Sequence, residues 1–256
     1  MILQKTADLG YLPKKIVSLV PSQTELLYYF GLDTETIGIT GFCIHPEKWF
    51  KTKTRVGGTK TINKNIIDQI QPDLIIANKE ENIKEQIDQL ALQYPIWLTD
   101  VNNIVDALSM ITDIGTLTGK SKNAVLLVTQ INKLFTLIST SEEPIKTAYL
   151  IWRNPYMTIG GDTFINDMLL KGGFINAFAD KKRYPEVSIT DLQNANCQLL
   201  LLSSEPYPFK QKHMDTLAAE LPDCKIVLAD GEMFSWYGSR LLLAPAYIKN
   251  LKNNIK

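Results

Sequence analysis

The sequence predicts an α/β protein made of two similar lobes with mostly parallel, helix-covered sheets, joined by one long helix. Three observations lead to this. Short apolar runs rich in β-branched residues alternate with helix-like segments, the pattern of βα units. The alternation stops over 103–139, where only helical spacing is found, and then restarts. The halves also echo each other, because LIIANKEEN at 74–82 and LLLLSSEPY at 199–207 are both apolar strands that run into acidic loops.

In chain order, KIVSLV at 15–20 reads as a strand, and Pro21 with Ser22 then supplies a turn and cap for a helix over Thr24–Phe30. TIGIT at 36–40 is a second strand, and Trp49 lies in a short charged helix. Helix 63–70, strand DLIIA at 73–77, helix 82–93 and strand IWLT at 96–99 follow. Gly115 and Gly119 divide the central region into a helix over 103–117 and a longer one over 121–139. In the longer helix Val125, Val128, Ile131, Leu134, Phe135 and Ile138 form one apolar stripe. SEEP at 141–144 is a loop. The second half continues with strand TAYLIW at 147–152, helix 162–171 opened at Gly160-Gly161, helix 189–195 and strand QLLLLS at 198–203. Helix 209–221, strand KIVL at 225–228 and a terminal helix over 239–253 complete it. The expected division is 1–118 for the first lobe, 119–140 for the connecting helix and 141–256 for the second lobe. Open α/β sheets bind ligands beyond the carboxyl ends of their strands, so the loops after Ala77 and Ser203, with Asn78 and Glu205, are expected to rim a cleft between the lobes.

Composition narrows the function. Lys plus Arg and Asp plus Glu both number 27, so there is no global basic field for nucleic acid. No apolar stretch approaches the roughly 18–20 residues of a membrane-spanning helix. Met1–Pro13 has charges and Gly where a secretory signal needs an apolar run, and no Cys is near the N-terminus to take a lipid. The sequence as it stands is therefore expected in the cytoplasm, or in the periplasm or at the cell surface if a leader precedes it. Cys43, Cys197 and Cys224 are widely spread and suggest neither a disulfide framework nor a zinc site. The glycine pairs lack nucleotide-binding spacing, G-x-S-x-G and H-E-x-x-H do not occur, and only His45 and His213 are available to a catalytic triad. No enzyme is expected.

KIVSLVPSQTELLYYFGL at 15–32, FCIHP at 42–46, RVGGTK at 55–60 and QPDLIIANKEEN at 71–82 resemble the N-terminal lobe of class III solute-binding proteins of ABC importers. GGDTFINDMLLKGGFIN at 160–176, RYPEVSITDL at 183–192 and FSWYGSRLLLA at 234–244 resemble the C-terminal lobe of the same group, most closely its cobalamin-binding branch. The resemblance covers nearly the whole chain. It implies two Rossmann-like lobes bridged by a long helix and a corrinoid, haem or ferric siderophore as ligand, with no cofactor required. It also implies delivery to a permease, with a carboxylate on each lobe docking against permease arginines. Glu81, Glu85 and Glu186 are the candidates for that docking, and solvated loop charge is their other reading. A monomer is expected.

Several residues are candidates for ligand contact. His45, with Phe42 and Cys43 on the loop after a strand, is placed to approach a metal centre or macrocycle edge, or else packs its loop. Phe234, Trp236 and Tyr237 form an aromatic run, read either as an exposed loop that offers flat faces to a ligand or as ordinary core packing. Arg240 is read either as an anion contact or as a salt bridge. Trp152 and Arg153 end a strand on the rim side. Glu205, Tyr207 and Phe209 share the rim of the second lobe, and the flanking prolines hold Tyr207 rigid. No residue is assigned to metal ligation. Two alternatives remain, a cytoplasmic enzyme or sensor acting on a metal complex and a docking module without a ligand.

Overall fold

The computed structural model describes residues 1–138 and 143–255. The chain divides into two compact units. The first takes Met1–Val101, Val105–Gln130 and Tyr237–Arg240, and the second takes Asn102–Ile104, Ile131–Trp236 and the segment from Leu241. Tyr237–Arg240 therefore belongs to the first unit, although its place in the sequence suggested the second lobe.

The first unit contains β1 (Ile16–Ser18), α1 (Pro21–Tyr29), β2 (Thr36–Ile39), α2 (Glu47–Thr52), β3 (Thr54–Arg55), α3 (Lys64–Ile70), β4 (Leu74–Asn78), α4 (Lys84–Ala91) and β5 (Ile96–Thr99). α5 (Ile104–Leu117) and α6 (Ser121–Thr136) follow, separated at Gly119, whose φ of +70° suits a residue without Cβ. All strand pairs are parallel, in the order β3-β2-β1-β4-β5. β4 is buried along its whole length, which is why it reads as a continuous apolar run. Its core packs Val17, Leu19, Ile75 and Ala77 of the sheet region against Ile67, Ile87 and Leu90 of the helices. Asn63 caps α3 by accepting from the Ile66 amide, and Pro21 begins α1, where a missing N–H costs nothing.

The second unit contains β6 (Ile145–Leu150), α7 (Phe164–Lys171), β7 (Phe174–Asn176), α8 (Ile189–Asn194), β8 (Leu199–Ser203), α9 (Gln211–Glu220), β9 (Lys225–Ala229), α10 (Glu232–Ser235) and α11 (Ala244–Ile255). Its sheet is again all parallel, ordered β7-β6-β8-β9. The core joins Ala148, Leu150, Leu200 and Leu202 to Leu192, Leu217 and Leu221. Thr163 caps α7, and Ser188 with Asp191 closes a capping box on α8.

The α/β class and the all-parallel sheets agree with the sequence reading. Two edge strands, β3 and β7, were not expected, and the terminal helix is not continuous. A 3₁₀ turn at Ser239–Leu242 precedes α11, because Pro245 is tolerated only in the first turn of a helix. The predicted helix end at Ser139, the connector's last residues 139–140 and the start of the SEEP loop at 141–142 lie outside the described residues.

Candidate functional site

Parallel strands place all their carboxyl ends on one edge of a sheet, so the loops leaving those ends form a rim in each unit. In the first unit the rim holds the loop 40–46 after β2 and the loop 79–82 after β4. Phe42 is 62% exposed and Ile44 44%, with the Phe42 ring lying over Gly58 of the glycine pair. His45 is half-buried beside them.

Cys43 points the other way. It is fully buried, its Sγ 3.1 Å from Thr24 Oγ1 and 3.2 Å from Thr40 Oγ1, and burial pushes its thiol up. A protonated, enclosed thiol offers no soft ligand, so Cys43 is a core residue here and not a rim contact. Asn78 is also buried. Its Oδ1 accepts from the amides of Glu80 and Glu81 at 2.8 and 3.2 Å, and its Nδ2 donates to the Thr99 carbonyl at 3.2 Å. With both ends engaged, Asn78 shapes the rim loop. The hydroxyl of buried Tyr237 bonds with Ser22 and Gln23, and burial, with Glu81 and Glu80 nearby, raises its pKa well above the usual value. Arg240 is the salt bridge of its two readings: Nε and one Nη donate to Glu25 at 3.0 and 2.7 Å, a bidentate pair.

In the second unit the rim is aromatic and cationic. Trp152 is 40% exposed and packs edge-to-face on Tyr207 with ring centres 5.8 Å apart. Tyr207 packs in turn on Phe209 at 4.8 Å and on His213 at 5.5 Å. Arg153 hydrogen-bonds to Tyr207 and Tyr156, which fixes its guanidinium beside the rings. Phe209 is buried beneath Tyr207 and supports it without reaching solvent. Tyr156, in the turn RNPY, was missed in the sequence because nothing distinguishes it from any turn tyrosine.

The aromatic run Phe234 to Trp236 requires a correction. It is not an exposed loop. Phe234 lies on α10, fully buried between Tyr149 at 5.4 Å and Tyr247 at 6.1 Å, so it is core. Trp236 is 7% exposed, and its Nε1 donates to Glu205 Oε1 at 2.9 Å, where the Ser235 hydroxyl also donates at 2.6 Å. Burial is the main cause that raises the Glu205 pKa, with Glu232 and Asp230 adding to it and the two hydrogen bonds opposing it. Glu205 is thus held within its own unit by two donors. Glu85 and Glu186 are exposed and Glu81 is half-buried. A separate cavity of about 430 Å³, lined by Asn102, Asp162, Asn166, Asp167 and Arg183 among others, includes none of the predicted contacts. Among the described residues, no three of His, Cys, Asp and Glu gather as a metal-holding group, and no helix is long and apolar enough to cross a membrane.

Comparison with known proteins decides the family. A model of the periplasmic binding protein family matches residues 16–221. The chain belongs to the periplasmic binding protein family. It is a solute-binding protein and not an enzyme, in line with the resemblance read from its motifs. The vitamin B12-binding protein of Yersinia pestis (strain Pestoides F) is 27% identical over 240 residues, covering 90% of this chain and 83% of that protein. In fold, the chain is similar to the periplasmic vitamin B12 binding protein BtuF of Vibrio cholerae, with TM-score 0.79 and 20% identity over 95% of this chain and 98% of that one. It is also similar to the periplasmic heme-binding protein RhuT of Roseiflexus sp. RS-1, with TM-score 0.81 and 20% identity over 94% and 97%.

Proposed function

We propose that this family member captures a corrinoid or another bulky metal chelate and hands it to an ABC-type importer. The observation that carries the reading is the rim cluster at the carboxyl ends of β6 and β8, where exposed Trp152 packs edge-to-face on Tyr207 and Arg153 bonds with Tyr207 and Tyr156. Ring faces bury much apolar area for little lost side-chain entropy, which suits a flat macrocycle, and a positioned guanidinium suits its anionic or amide edge. Phe42 and Ile44 offer a smaller apolar contact on the rim of the first unit. The names of the relatives, which bind vitamin B12 and heme, support the ligand class. A metal in such a ligand is cargo held by its own macrocycle, so binding needs no ligating cluster from the protein. Glu81, Glu85 and Glu186 are the carboxylates we assign to permease docking, where charge mainly speeds and orients encounter.

Isothermal titration of the purified chain with cyanocobalamin, haem and a ferric hydroxamate siderophore tests the reading. Saturable binding in the micromolar range or tighter is expected for at least one of them. Millimolar or weaker binding of all three overturns the ligand class.

A further inference from the structure

We propose that Cys197 and Cys224 are an oxidative modification site that closes into a disulfide by exchange with a low-molecular-weight disulfide. In the sequence the two are 27 positions apart with no motif linking them. The fold joins them because β8 and β9 run parallel with Leu199 opposite Lys225, with Cys197 two residues before β8 and Cys224 immediately before β9. The Lys225 amide donates to the Gln198 carbonyl at 3.0 Å, which fixes the two strand starts side by side. The Sγ atoms are 3.3 Å apart, and both cysteines are free thiols.

The pair is accessible and reactive. Cys224 is partly exposed, whereas Cys197 is 6% exposed, and both line a cavity of about 170 Å³ with Leu192, Asn196, Pro222 and Asp223. The hydrogen bond from the Cys224 thiol holds Cys197 down to about 7, against the effect of its burial. The thiolate is the nucleophile of exchange, so a pair sharing one proton near neutrality reacts faster than an isolated buried thiol. Cys43, fully buried and pushed up, has neither property.

With oxidised glutathione as the co-reactant, the Cys197 thiolate attacks one glutathione sulfur from the cavity the pair lines, the glutathione S–S bond breaks and a glutathione thiolate leaves. Cys224 then loses its proton, attacks Cys197 Sγ and expels the second glutathione thiolate. Two protein thiols are oxidised and one glutathione disulfide is reduced to two thiols, which take up the two protons. The new bond ties β8 to β9 at their amino ends, the sheet edge opposite the rim, and closes a loop that contains α9.

The experiment incubates the native full chain with oxidised glutathione, blocks remaining thiols, and maps peptides by mass spectrometry without reduction. We expect a cross-linked peptide joining Cys197 to Cys224 and a free thiol at Cys43. The melting temperature should rise by roughly 5 °C or more, because the closed loop restricts the unfolded chain. Cys224→Ser is expected to stop at a glutathione adduct on Cys197 and to show no such rise. Three free thiols in the native chain after excess oxidant, or a wild-type chain that also stops at the adduct, overturns the proposal.

Discussion

Trp152 and Phe234 are both large aromatics of the second unit, and they differ in what covers them. Trp152 keeps 40% of its surface exposed, while Phe234 has none. Trp152→Ala should therefore leave the denaturation midpoint nearly unchanged and raise the ligand Kd tenfold or more, about 1.4 kcal/mol. Phe234→Ala empties a packed site and should cost about 3–5 kcal/mol of stability, with normal affinity in the protein that stays folded. Urea melts and titrations of both variants check this, and an unchanged Kd for Trp152→Ala would remove that residue from the site. The sequence could not separate the two cases. FSWY has no period, α10 is one turn long, and an aromatic run looks alike in a core and on a rim. Arg240 was readable only as two alternatives, since its partner Glu25 lies 215 positions away. Cys197 and Cys224 were hidden for the same reason, and only the parallel register brings them together.

At the level of elements, α9 depends on a neutral histidine. The Lys210 amide donates to His213 Nδ1 at 2.9 Å, so that nitrogen must remain unprotonated to cap the helix. Burial first, and then the charges of Arg153, Lys212 and Lys210, depress the His213 pKa below its ordinary 6.5. Tyr207, whose hydroxyl is 3.4 Å from Nε2, is the neutral group on the ring's other side. The unfolded chain therefore binds the proton more readily, and this contribution to stability is lost as pH falls from about 6.5 toward the depressed folded value. Wild-type protein should lose more melting temperature between pH 7.5 and pH 5 than His213→Gln, whose amide oxygen still accepts from Lys210 and does not titrate. Equal losses would show that the ring is not the titrating cap. Most elements were legible because βα alternation and capping residues such as Ser188 mark them. β3 and β7 were not, since two or three residues at a sheet edge carry no periodicity. The break before α11 was signalled by Pro245, but the amphipathic spacing around it masked the signal.

At the scale of the whole molecule, the echo between the halves had a topological basis. The order β2-β1-β4-β5 in one sheet corresponds to β7-β6-β8-β9 in the other, so LIIAN and LLLLS occupy equivalent central strands. Equivalent strands place equivalent loops on the rims, which is why loop positions were predictable while their side-chain contacts were not. This arrangement makes ligand binding measurable as stability. A ligand that binds only the folded chain at a hundred times its Kd adds about 2.7 kcal/mol. For a chain of 256 residues, at roughly 2–4 °C per kcal/mol, the melting temperature should rise by about 5–10 °C. Trp152→Ala, at the same ligand concentration and with a tenfold weaker Kd, should lose about 1.4 kcal/mol of that gain, or roughly 3–5 °C. Scanning calorimetry with and without the ligand identified by titration resolves these shifts. If that ligand leaves the wild-type melting temperature unmoved, it binds the unfolded chain equally well, and the rim built on β6 and β8 is not its site.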